Sequence, residues 1–395
     1  MRESRSRQWC IGLSVAAIVL FTACLAQFYR RGTGFTSLIK FGDQFDARVL
    51  PIVRAEGRRY IYYESPGYDG QFYAQLAVDP LLRDRAIDQA LDNPPFRGRR
   101  ILFAWTAHLL GLGRPAWVLR AYALQNIFAW FFLAWILTTW LPPVTPRRLA
   151  AWLGRLFGAG VIASVLSALL EVPSLVLLAL AVLALERGYV WGAGVVMGLA
   201  GLGRETNLLG GGLLIERVPR TLASALHLAG VLAVAALPYV VWSLYIRSLY
   251  PAFSFSNPDS FSLPFEGYFG EWVIAIQDCV ARNWDPASRS CIYSLVSLTI
   301  QTGFLVWYRE WRSPWWRMGI AYVCFLPFLS PLIWAGFPGA AVRVLVPMTI
   351  AFNVLALRIS SGWFWPLIAL GNFTVLKGLH DLQIPAHFGM VVRSD

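Results

Sequence analysis

The sequence most suited to chemistry surrounds a single carboxylate, Asp69, in the segment Tyr68-Asp69-Gly70-Gln71-Phe72-Tyr73. A Pro-Gly turn precedes it, and a helix is predicted over 70–78. Asp69 would then lie at or near the N-cap, where backbone N–H groups fix the direction of a carboxylate and keep it ionised. Such a group either only caps the helix or caps it and also takes part in catalysis. We treat Asp69 as the candidate catalytic residue.

Four further charged residues lie where apolar segments begin or end: Glu171, Arg204, Glu205 and Arg343. Charged side chains at the boundary of a membrane segment are costly and usually functional. For Arg204 and Glu205 the alternative is a mutual ion pair in a short loop. We keep all four as candidate substrate-binding residues, because the topology given below predicts them on the same side of the membrane as Asp69.

A polar segment at 92–100 ends in three arginines, Arg97, Arg99 and Arg100. Guanidinium groups bind phosphate through paired hydrogen bonds, but arginines at a membrane edge also serve as interfacial anchors. Both interpretations stay open, and Arg99 and Arg100 are kept as candidate ligands. Asp43 and Asp46 would share a helix face and assist a metal or acceptor site, although a solvated face is the simpler explanation.

The composition indicates what kind of protein holds these residues. Of 395 residues, 57% are hydrophobic and 14% are charged, whereas a soluble domain carries about 25% charged residues. Several apolar runs reach the ~18 residues that a membrane span needs, which argues against a soluble, aromatic-rich core. The net charge of +12 comes mostly from arginines in loops. Positive-inside topology explains this excess, so we expect membrane lipid and no nucleic acid as a partner.

The apolar runs predict an all-α, polytopic membrane protein with roughly 10–11 transmembrane helices. The first run, Trp9–Phe28, is longer than a signal-peptide core and lacks small residues at its end, so we predict an uncleaved span with a cytoplasmic N-terminus. The other predicted spans are Ala116–Leu141, Leu149–Leu170, Pro173–Leu185, Val190–Leu202, Thr206–Ile215, Leu222–Ile246, Ile292–Trp307, Met318–Ala335, Val344–Leu357 and Trp363–Leu379.

Two polar stretches interrupt these spans within what we interpret as one transmembrane domain, 1–395. Residues 30–100 carry twelve Lys/Arg and nine Asp/Glu and are predicted as a long extracytoplasmic loop. Its apolar pieces, Phe45–Val53 and Tyr73–Leu82, are predicted to form helices on the membrane surface. Residues 247–290 are predicted as a second extracytoplasmic loop, in which Cys279 and Cys291 either form a disulfide or stay free thiols.

Motifs for cofactors are lacking in the sequence. Gly192, Gly194 and Gly198 follow the order G-x-G-x-x-x-G with no strand before them, which is typical of close helix packing and not of dinucleotide binding. Four histidines without paired spacing and five scattered cysteines argue against a metal site built from these residues. We therefore assign no cofactor, and a divalent cation at the acidic residues stays an open alternative.

This layout resembles the GT-C superfamily, multispan membrane glycosyltransferases that use polyprenyl-phosphate sugars. The likeness covers most of the chain. It lies in a first span followed by a long outer loop with an acidic motif at 68–73, and in the segments 91–102, 171–173 and 201–206, which are similar to segments of such bacterial enzymes. The motif here has one Asp where the family often has an acidic pair, so the resemblance does not predict a metal requirement.

The resemblance implies an inverting transfer of sugar from a polyprenyl-phosphate-linked donor to an extracytoplasmic glycan, lipid or protein of the cell envelope. The site would face the periplasm or exterior of a bacterial inner membrane. Asp69 would be the base for the acceptor hydroxyl, and Arg204 and Arg343 would bind the departing phosphate, with Arg99 and Arg100 behind them. Tyr68, Gln71 and Tyr73 would orient sugar hydroxyls.

Two other functions compete with this one. A transporter or lipid flippase would use intramembrane charges and a broken helix such as the Gly-rich segment 188–212. Against it, the sequence has no internal repeat, and the long polar loop has no obvious transport role. The other function is that of a non-catalytic subunit of an envelope polysaccharide assembly system. In that case assembly of the polysaccharide would need the protein but would not need Asp69.

Overall fold

The computed structural model describes residues 2–252, 258–335, 340–360 and 362–382. The protein is 73% helix and 2% strand, which confirms the all-α prediction. A short parallel pair of strands, β1 (Phe41–Gly42) and β2 (Ile61–Tyr62), lies in the long polar loop and aligns Phe41 with Ile61.

The helices of the first half of the chain are short in the polar loop and longer after it. They are α1 (Arg2–Ala26), α2 (Pro51–Glu56), α3 (Asp69–Val78), α4 (Ile87–Ala90), α5 (Pro94–Gly98), α6 (Leu102–Leu110), α7 (Pro115–Leu137), α8 (Pro146–Leu156), α9 (Ala159–Leu166), α10 (Glu171–Glu186) and α11 (Val190–Gly203).

The second half contains the longest helix and several short ones. They are α12 (Leu222–Leu249), α13 (Glu266–Val280), α14 (Pro286–Trp307), α15 (Pro314–Phe325), α16 (Pro331–Ala335), α17 (Ala340–Val344), α18 (Val346–Ala356), α19 (Phe364–Gly371) and α20 (Val375–Leu382). 3₁₀ helices cover Thr36–Ile39, Asp43–Arg48, Glu205–Leu214, Pro258–Ser260 and Leu326–Phe328.

Three helices are long and apolar enough to cross a membrane: Ser4–Ala26 within α1, α12 and α14. A fourth candidate is the pair α8 and α9, which are bent by 45° relative to each other. By length and composition, the described residues thus give three to four candidate crossings, against the roughly 10–11 expected from hydropathy.

Part of the difference arises because continuous helices such as α10, of 16 residues, and α11, of 14 residues, are shorter than a span. The rest comes from three apolar runs that are not continuous helices. The predicted span 206–215 contains three consecutive glycines and falls on the 3₁₀ helix Glu205–Leu214. The predicted span 318–335 is divided between α15 and α16 near Pro327 and Pro331. Residues 363–379 are divided between α19 and α20. Glycine and proline disfavour a regular α-helix in the first two cases, whatever the hydropathy of their neighbours.

The long polar loop folds against the helices that follow it. α3 is buried from Gly70 to Ala77 and packs on α6 and α7. Its apolar side chains share one core with α7 and α12, in which Phe72 and Tyr122 are members. The predicted surface helix Tyr73–Leu82 is therefore wrong, because both faces of α3 find packing partners. Phe45–Val53 is not one helix either, since a 3₁₀ helix ends at Arg48 before α2 begins.

Two glutamines on α3 hold the surrounding loop through backbone hydrogen bonds. The Gln71 side chain accepts from the Gly42 N–H at 3.3 Å and donates to the Pro66 carbonyl at 2.9 Å. One turn later, Gln75 accepts from the Leu50 N–H at 2.9 Å and donates to the Ala90 carbonyl at 3.1 Å. Buried amides with all these partners stabilise a single loop conformation, which fixes the start of α3.

Gly70 lies where α3 approaches two other backbone segments. A Cβ atom there would lie 2.4 Å from the Ser167 carbonyl oxygen and 2.8 Å from that of Ile39. Gly70→Ala should therefore lower the free energy of unfolding by about 3 kcal/mol, the upper end for overpacking, because neither carbonyl can move aside as a flexible side chain would. Thermal unfolding of the purified protein in detergent measures the effect.

Gly303→Ala is the matched control for Gly70→Ala, because it also adds a methyl group to a helical glycine. A Cβ at Gly303 meets nothing within 4 Å, so this variant should unfold at the wild-type temperature or slightly above it. An unchanged unfolding temperature for Gly70→Ala would show that α3 is not held against these carbonyls.

The second polar stretch, 247–290, contains α13 over Glu266–Val280. Cys279 is exposed, Cys291 is half-buried on α14, and both are free thiols. Of the two alternatives given by the sequence, the structure thus has the thiols and not the disulfide.

Candidate functional site

Ends of five helices surround a cavity of about 470 Å³, which we call the arginine cavity. Its size is within the range of small-molecule sites. Eight of the residues selected from the sequence line it: Asp69, Tyr73, Arg99, Arg100, Glu171, Arg204, Glu205 and Arg343. They come from the start of α3, from the segment after α5, from the start of α10, from the end of α11 and from α17. Residues that are far apart in the sequence thus meet in one place.

Asp69 is the first residue of α3 and not its N-cap, which is Tyr68. No side-chain capping hydrogen bond is present at this helix start, so the prediction that backbone donors hold the carboxylate is wrong. Instead, the Arg97 guanidinium donates to one Asp69 carboxylate oxygen at 2.8 Å. Among the described residues the other oxygen has no hydrogen-bond donor, and the side chain is 33% exposed. Asp69 is thus oriented on one side and open on the other.

Arg97 is the central cation of the site, although the sequence placed it only in a group with two other arginines. Its side chain is buried and binds both oxygens of Asp92, at 2.9 and 2.7 Å, as well as Asp69. It also donates to the Tyr73 hydroxyl at 3.2 Å, and its guanidinium lies 5.1 Å from the centroid of the Phe72 ring. A guanidinium that binds one carboxylate through two hydrogen bonds and a second carboxylate through another is held in one orientation.

A local signal for Arg97 exists in the sequence around α5. Asn93 accepts a hydrogen bond from the Phe96 N–H at 3.1 Å and caps this short helix, whose first two residues are prolines. The cap and the prolines begin the helix at a defined residue. The spacing from Asp92 to Arg97 then lets the two side chains pair across one helical turn.

The electrostatic surroundings keep Asp69 ionised. Burial raises the pKa of Asp69, but the positive charges of Arg97 and then Arg343 outweigh it, so the pKa lies below its usual value. The group is therefore a carboxylate at neutral pH and able to accept a proton, although the arginines make it a weak base until an anion offsets their charge.

A second ion pair connects the polar loop to the segment after α11. Arg100 binds both oxygens of Glu205, at 2.7 and 2.5 Å, and donates to the Tyr73 hydroxyl at 2.9 Å. Burial acts to raise the pKa of Glu205, but Arg100 lowers it to about 2. The Tyr73 hydroxyl thus accepts from two arginines, and it links the two ion pairs.

Glu205 should make the stability of the protein depend on acidity. Its folded pKa of about 2 lies below the usual 4.5, so its contribution is present above pH 4.5 and is lost as the pH falls towards 2. Glu205→Gln should lower the free energy of unfolding by about 3 kcal/mol at neutral pH, and this difference should shrink steadily below pH 4.5. Unfolding curves recorded at several pH values measure it.

Glu205 begins the 3₁₀ helix Glu205–Leu214, and the exposed residue Glu216 lies shortly after the end of this helix. Glu216→Gln is the matched control for this prediction. It should leave stability close to wild type across the range, as surface substitutions usually do. A difference between wild type and Glu205→Gln that does not change with pH would contradict the ion-pair explanation.

Glu171 joins the two remaining arginines. One of its carboxylate oxygens accepts from Arg204 at 2.8 Å and from Arg343 at 3.4 Å. The residue begins α10, where the helix dipole favours an anion, and the Ser164 hydroxyl accepts from the next backbone N–H, of Val172, at 3.1 Å. Because a single carboxylate is shared, the two arginines carry one more positive charge than Glu171 neutralises.

A second, very small cavity lies behind this group. It measures about 10 Å³ and is lined by Glu171, Ser174, Arg204 and Arg343. Within the described part of the chain, the second Glu171 oxygen, the Ser174 hydroxyl and the Nε atoms of both arginines have no hydrogen-bond partner. Its size and polar atoms match the room and the partners that one water molecule needs.

The other candidates selected from the sequence lie outside the arginine cavity. Both ends of the Gln71 amide are occupied by backbone groups and the residue is 1% exposed, so Gln71 supports the loop. The Tyr68 ring lies beside the cavity, 5.7 Å from the Arg343 guanidinium and 5.9 Å from the Lys40 amine. Tyr68 therefore contacts a lining residue without lining the cavity.

Asp43 and Asp46 are engaged within the polar loop. Asp43 accepts from the backbone N–H groups of Glu64 at 3.0 Å and Ser65 at 3.1 Å, which lower its pKa. Asp46 pairs with Arg59 at 2.6 Å. Over the described ranges, no group of three or more His, Cys, Asp and Glu side chains is arranged to hold a metal ion. These two aspartates are thus explained by local structure.

The walls of the arginine cavity differ in chemistry. Five arginines and three carboxylates line one part, which leaves a positive excess, and the remainder is largely apolar. The apolar residues are Phe96, Leu169, Leu170, Leu209, Phe261, Phe325, Leu329, Ile333, Ala340 and Val344. Such a cavity suits a ligand that has an anionic head and an apolar portion. No protein family, curated protein or solved structure that was compared matches this chain.

Proposed function

We propose that this protein is a membrane glycosyltransferase that transfers a sugar from a polyprenyl-phosphate-linked donor to an extracytoplasmic acceptor of the cell envelope. The observation that carries the proposal is the division of the arginine cavity into an arginine-rich part, with one open Asp69 oxygen, and an apolar part. A polyprenyl-phosphate sugar has the matching chemistry: an anionic phosphate between a polar sugar and a long apolar chain.

Arg204 and Arg343 are the phosphate-binding residues in this proposal. They share one carboxylate oxygen of Glu171, so their remaining charge and N–H groups are available to a phosphate. Guanidinium groups held in place before the reaction stabilise the charge that develops on the leaving phosphate, without reorganisation during the reaction. Arg99 and Arg100 lie in the same cavity and add positive potential.

Asp69 is the base in this proposal. The acceptor hydroxyl gives its proton to the open carboxylate oxygen as it attacks the anomeric carbon, the bond to the phosphate oxygen breaks, and the phosphate leaves with both bonding electrons. One displacement inverts the anomeric centre. A bound phosphate offsets the charge of Arg343, which lowers the pKa of Asp69 in the free protein. Donor binding therefore makes Asp69 a stronger base when the acceptor arrives.

The same proposal includes the location of the protein. It lies in a bacterial inner membrane with its N-terminus in the cytoplasm and the arginine cavity towards the periplasm or exterior. Three apolar helices of membrane-spanning length support membrane association, and the arginine-rich loops support the orientation.

Reconstitution tests the proposal. The full chain is placed in liposomes with radiolabelled undecaprenyl-phosphate glucose and a bacterial cell extract as the source of acceptors, and label in material that is not polyprenyl-linked is followed over time. We expect transfer that requires the protein. If the protein instead moves the labelled donor between leaflets without breaking its phosphate bond, the protein is a flippase and the proposal is wrong.

A further inference from the structure

Another cavity, of about 620 Å³, lies among α13, α14, α16 and α20, away from the two described above. We call it the acidic cavity, because Glu271, Asp278 and Asp285 line it against one cation, Lys377. Lys377 is itself paired with Asp381 at 2.8 Å. The charge of this cavity is thus opposite to that of the arginine cavity, and it would repel the phosphate of a lipid-linked donor.

Glu271 is the cavity residue whose hydrogen bonding a ligand would complete. It is 8% exposed and lines the cavity, yet no cation of the described chain forms a salt bridge with it. The Cys291 thiol lies near enough to interact with it electrostatically, and a thiol is at best a weak donor. A buried carboxylate is costly without strong donors, so its position at a cavity wall favours a ligand that brings hydroxyl or amine protons.

Trp334 adds an independent observation at the same wall. A Cβ on Gly267 would lie 2.7 Å from its indole Cδ1 atom, so the ring packs over α13 one turn before Glu271. The indole Nε1 is buried and has no hydrogen-bond acceptor among the described residues. An indole N–H usually finds a partner when buried, and a ligand with hydroxyl oxygens would supply one.

The remaining polar groups suit an extended ligand better than an ion. Asp278 and Asp285 both accept from Ser288, at 2.5 and 2.7 Å, and no set of three or more acidic, His or Cys side chains in the described chain is grouped for a metal ion. Ser290 and Ser294 also line the wall. Separated carboxylates, hydroxyls and an indole together match the many donors and acceptors of a saccharide.

Short helix α16 connects this cavity to the proposed reaction. Ile333 lines the arginine cavity and the next residue, Trp334, lines the acidic cavity, so the cavities lie on two faces of one helix. We propose that the acidic cavity binds the acceptor as a saccharide without negative charge, an assignment that rests on the proposed glycosyltransferase function. A saccharide longer than the ~10 Å diameter of a helix extends past α16 towards Asp69.

Binding to an immobilised array of neutral, amine-bearing and uronic-acid oligosaccharides tests the proposal with the full chain in detergent. We expect wild type to bind neutral or amine-bearing members and not the uronic acids. Glu271→Gln keeps the shape of the side chain and should weaken this binding at least tenfold. Glu266→Gln, an exposed position in the first turn of the same helix, is the matched control and should bind as wild type does.

Binding on the array does not require transfer, so the two proposals fail separately. Asp69→Asn should bind the array normally even though it should not transfer sugar. Equal binding by wild type and folded Glu271→Gln, or binding of uronic acids as tight as that of neutral members, would overturn the acidic cavity as the acceptor site. Wild type that transfers sugar but binds no member, or that gains stability only from added Mg²⁺ or Ca²⁺, would overturn it as well.

Discussion

Replacing Asp69 by asparagine should slow sugar transfer by a factor of about 10²–10⁴, the usual contribution of a general base. Asparagine keeps the size of the side chain and can still accept from Arg97 through its carbonyl oxygen, but its open side no longer takes a proton. The rate is measured in liposomes at saturating donor and acceptor. Binding of the donor, measured separately by displacement of labelled polyprenyl-phosphate, should change much less than the rate.

Asp84→Asn is the matched control for Asp69→Asn. Asp84 lies in the same polar loop, is exposed, and accepts from the Ala86 N–H at 2.9 Å. It does not line the arginine cavity, so this variant should transfer sugar at the wild-type rate. If Asp69→Asn transfers as fast as wild type, Asp69 is not the base, and the open carboxylate oxygen has only a structural or electrostatic role.

Replacing Arg343 by glutamine should reduce kcat/KM for the lipid-linked donor by a factor of about 10²–10³, as removal of one preorganised donor to a developing oxyanion does. Arg343 is buried, shares Glu171 with Arg204 and lowers the pKa of Asp69 by its charge. In the variant, the phosphate should therefore bind more weakly and the pKa of Asp69 should rise. The donor KM should rise and kcat should fall, because in the proposed reaction the guanidinium contacts the phosphate before and during its departure.

Arg343→Lys and Arg83→Gln separate this role from a structural one. Lysine keeps the charge but not the paired N–H groups, so it should recover part of the loss. Arg83 is exposed in the polar loop, and its replacement by glutamine should leave kcat/KM unchanged. Arg343→Gln that folds normally and keeps the wild-type kcat/KM would remove Arg343 from the phosphate-binding group.

Local sequence was sufficient for the helical class and for the start of several helices. The Pro-Gly turn before Asp69 placed the beginning of α3 within one residue of Asp69–Val78, because turn and helix preferences act over a few residues. Hydropathy was less informative about continuity. The glycines after Asn207 and the prolines near α16 interrupt apolar runs that composition alone joins, so these runs are not single long helices.

The candidate site was named largely from the sequence, because charged residues next to apolar runs are conspicuous. Glu171, Arg204 and Arg343 were found in this way. Arg97 was passed over in favour of its neighbours, since its importance comes from its contacts with Asp69 and Asp92 and not from its composition. Gln71 was assigned to a substrate, but it is held between two backbone segments that come together only in the folded loop.

By itself, the sequence determined the helical class, the apolar character and the chemistry available beside Asp69. Only the tertiary structure decided which of these charged side chains form ion pairs with each other. Asp69 and Arg97 are 28 residues apart, Arg100 and Glu205 are 105 apart, and Glu171 and Arg343 are 172 apart. Ion pairs over such separations depend on how loops close and helices pack, which short-range preferences do not specify. Asp69 was expected to depend on backbone donors, and the fold gave it an arginine instead.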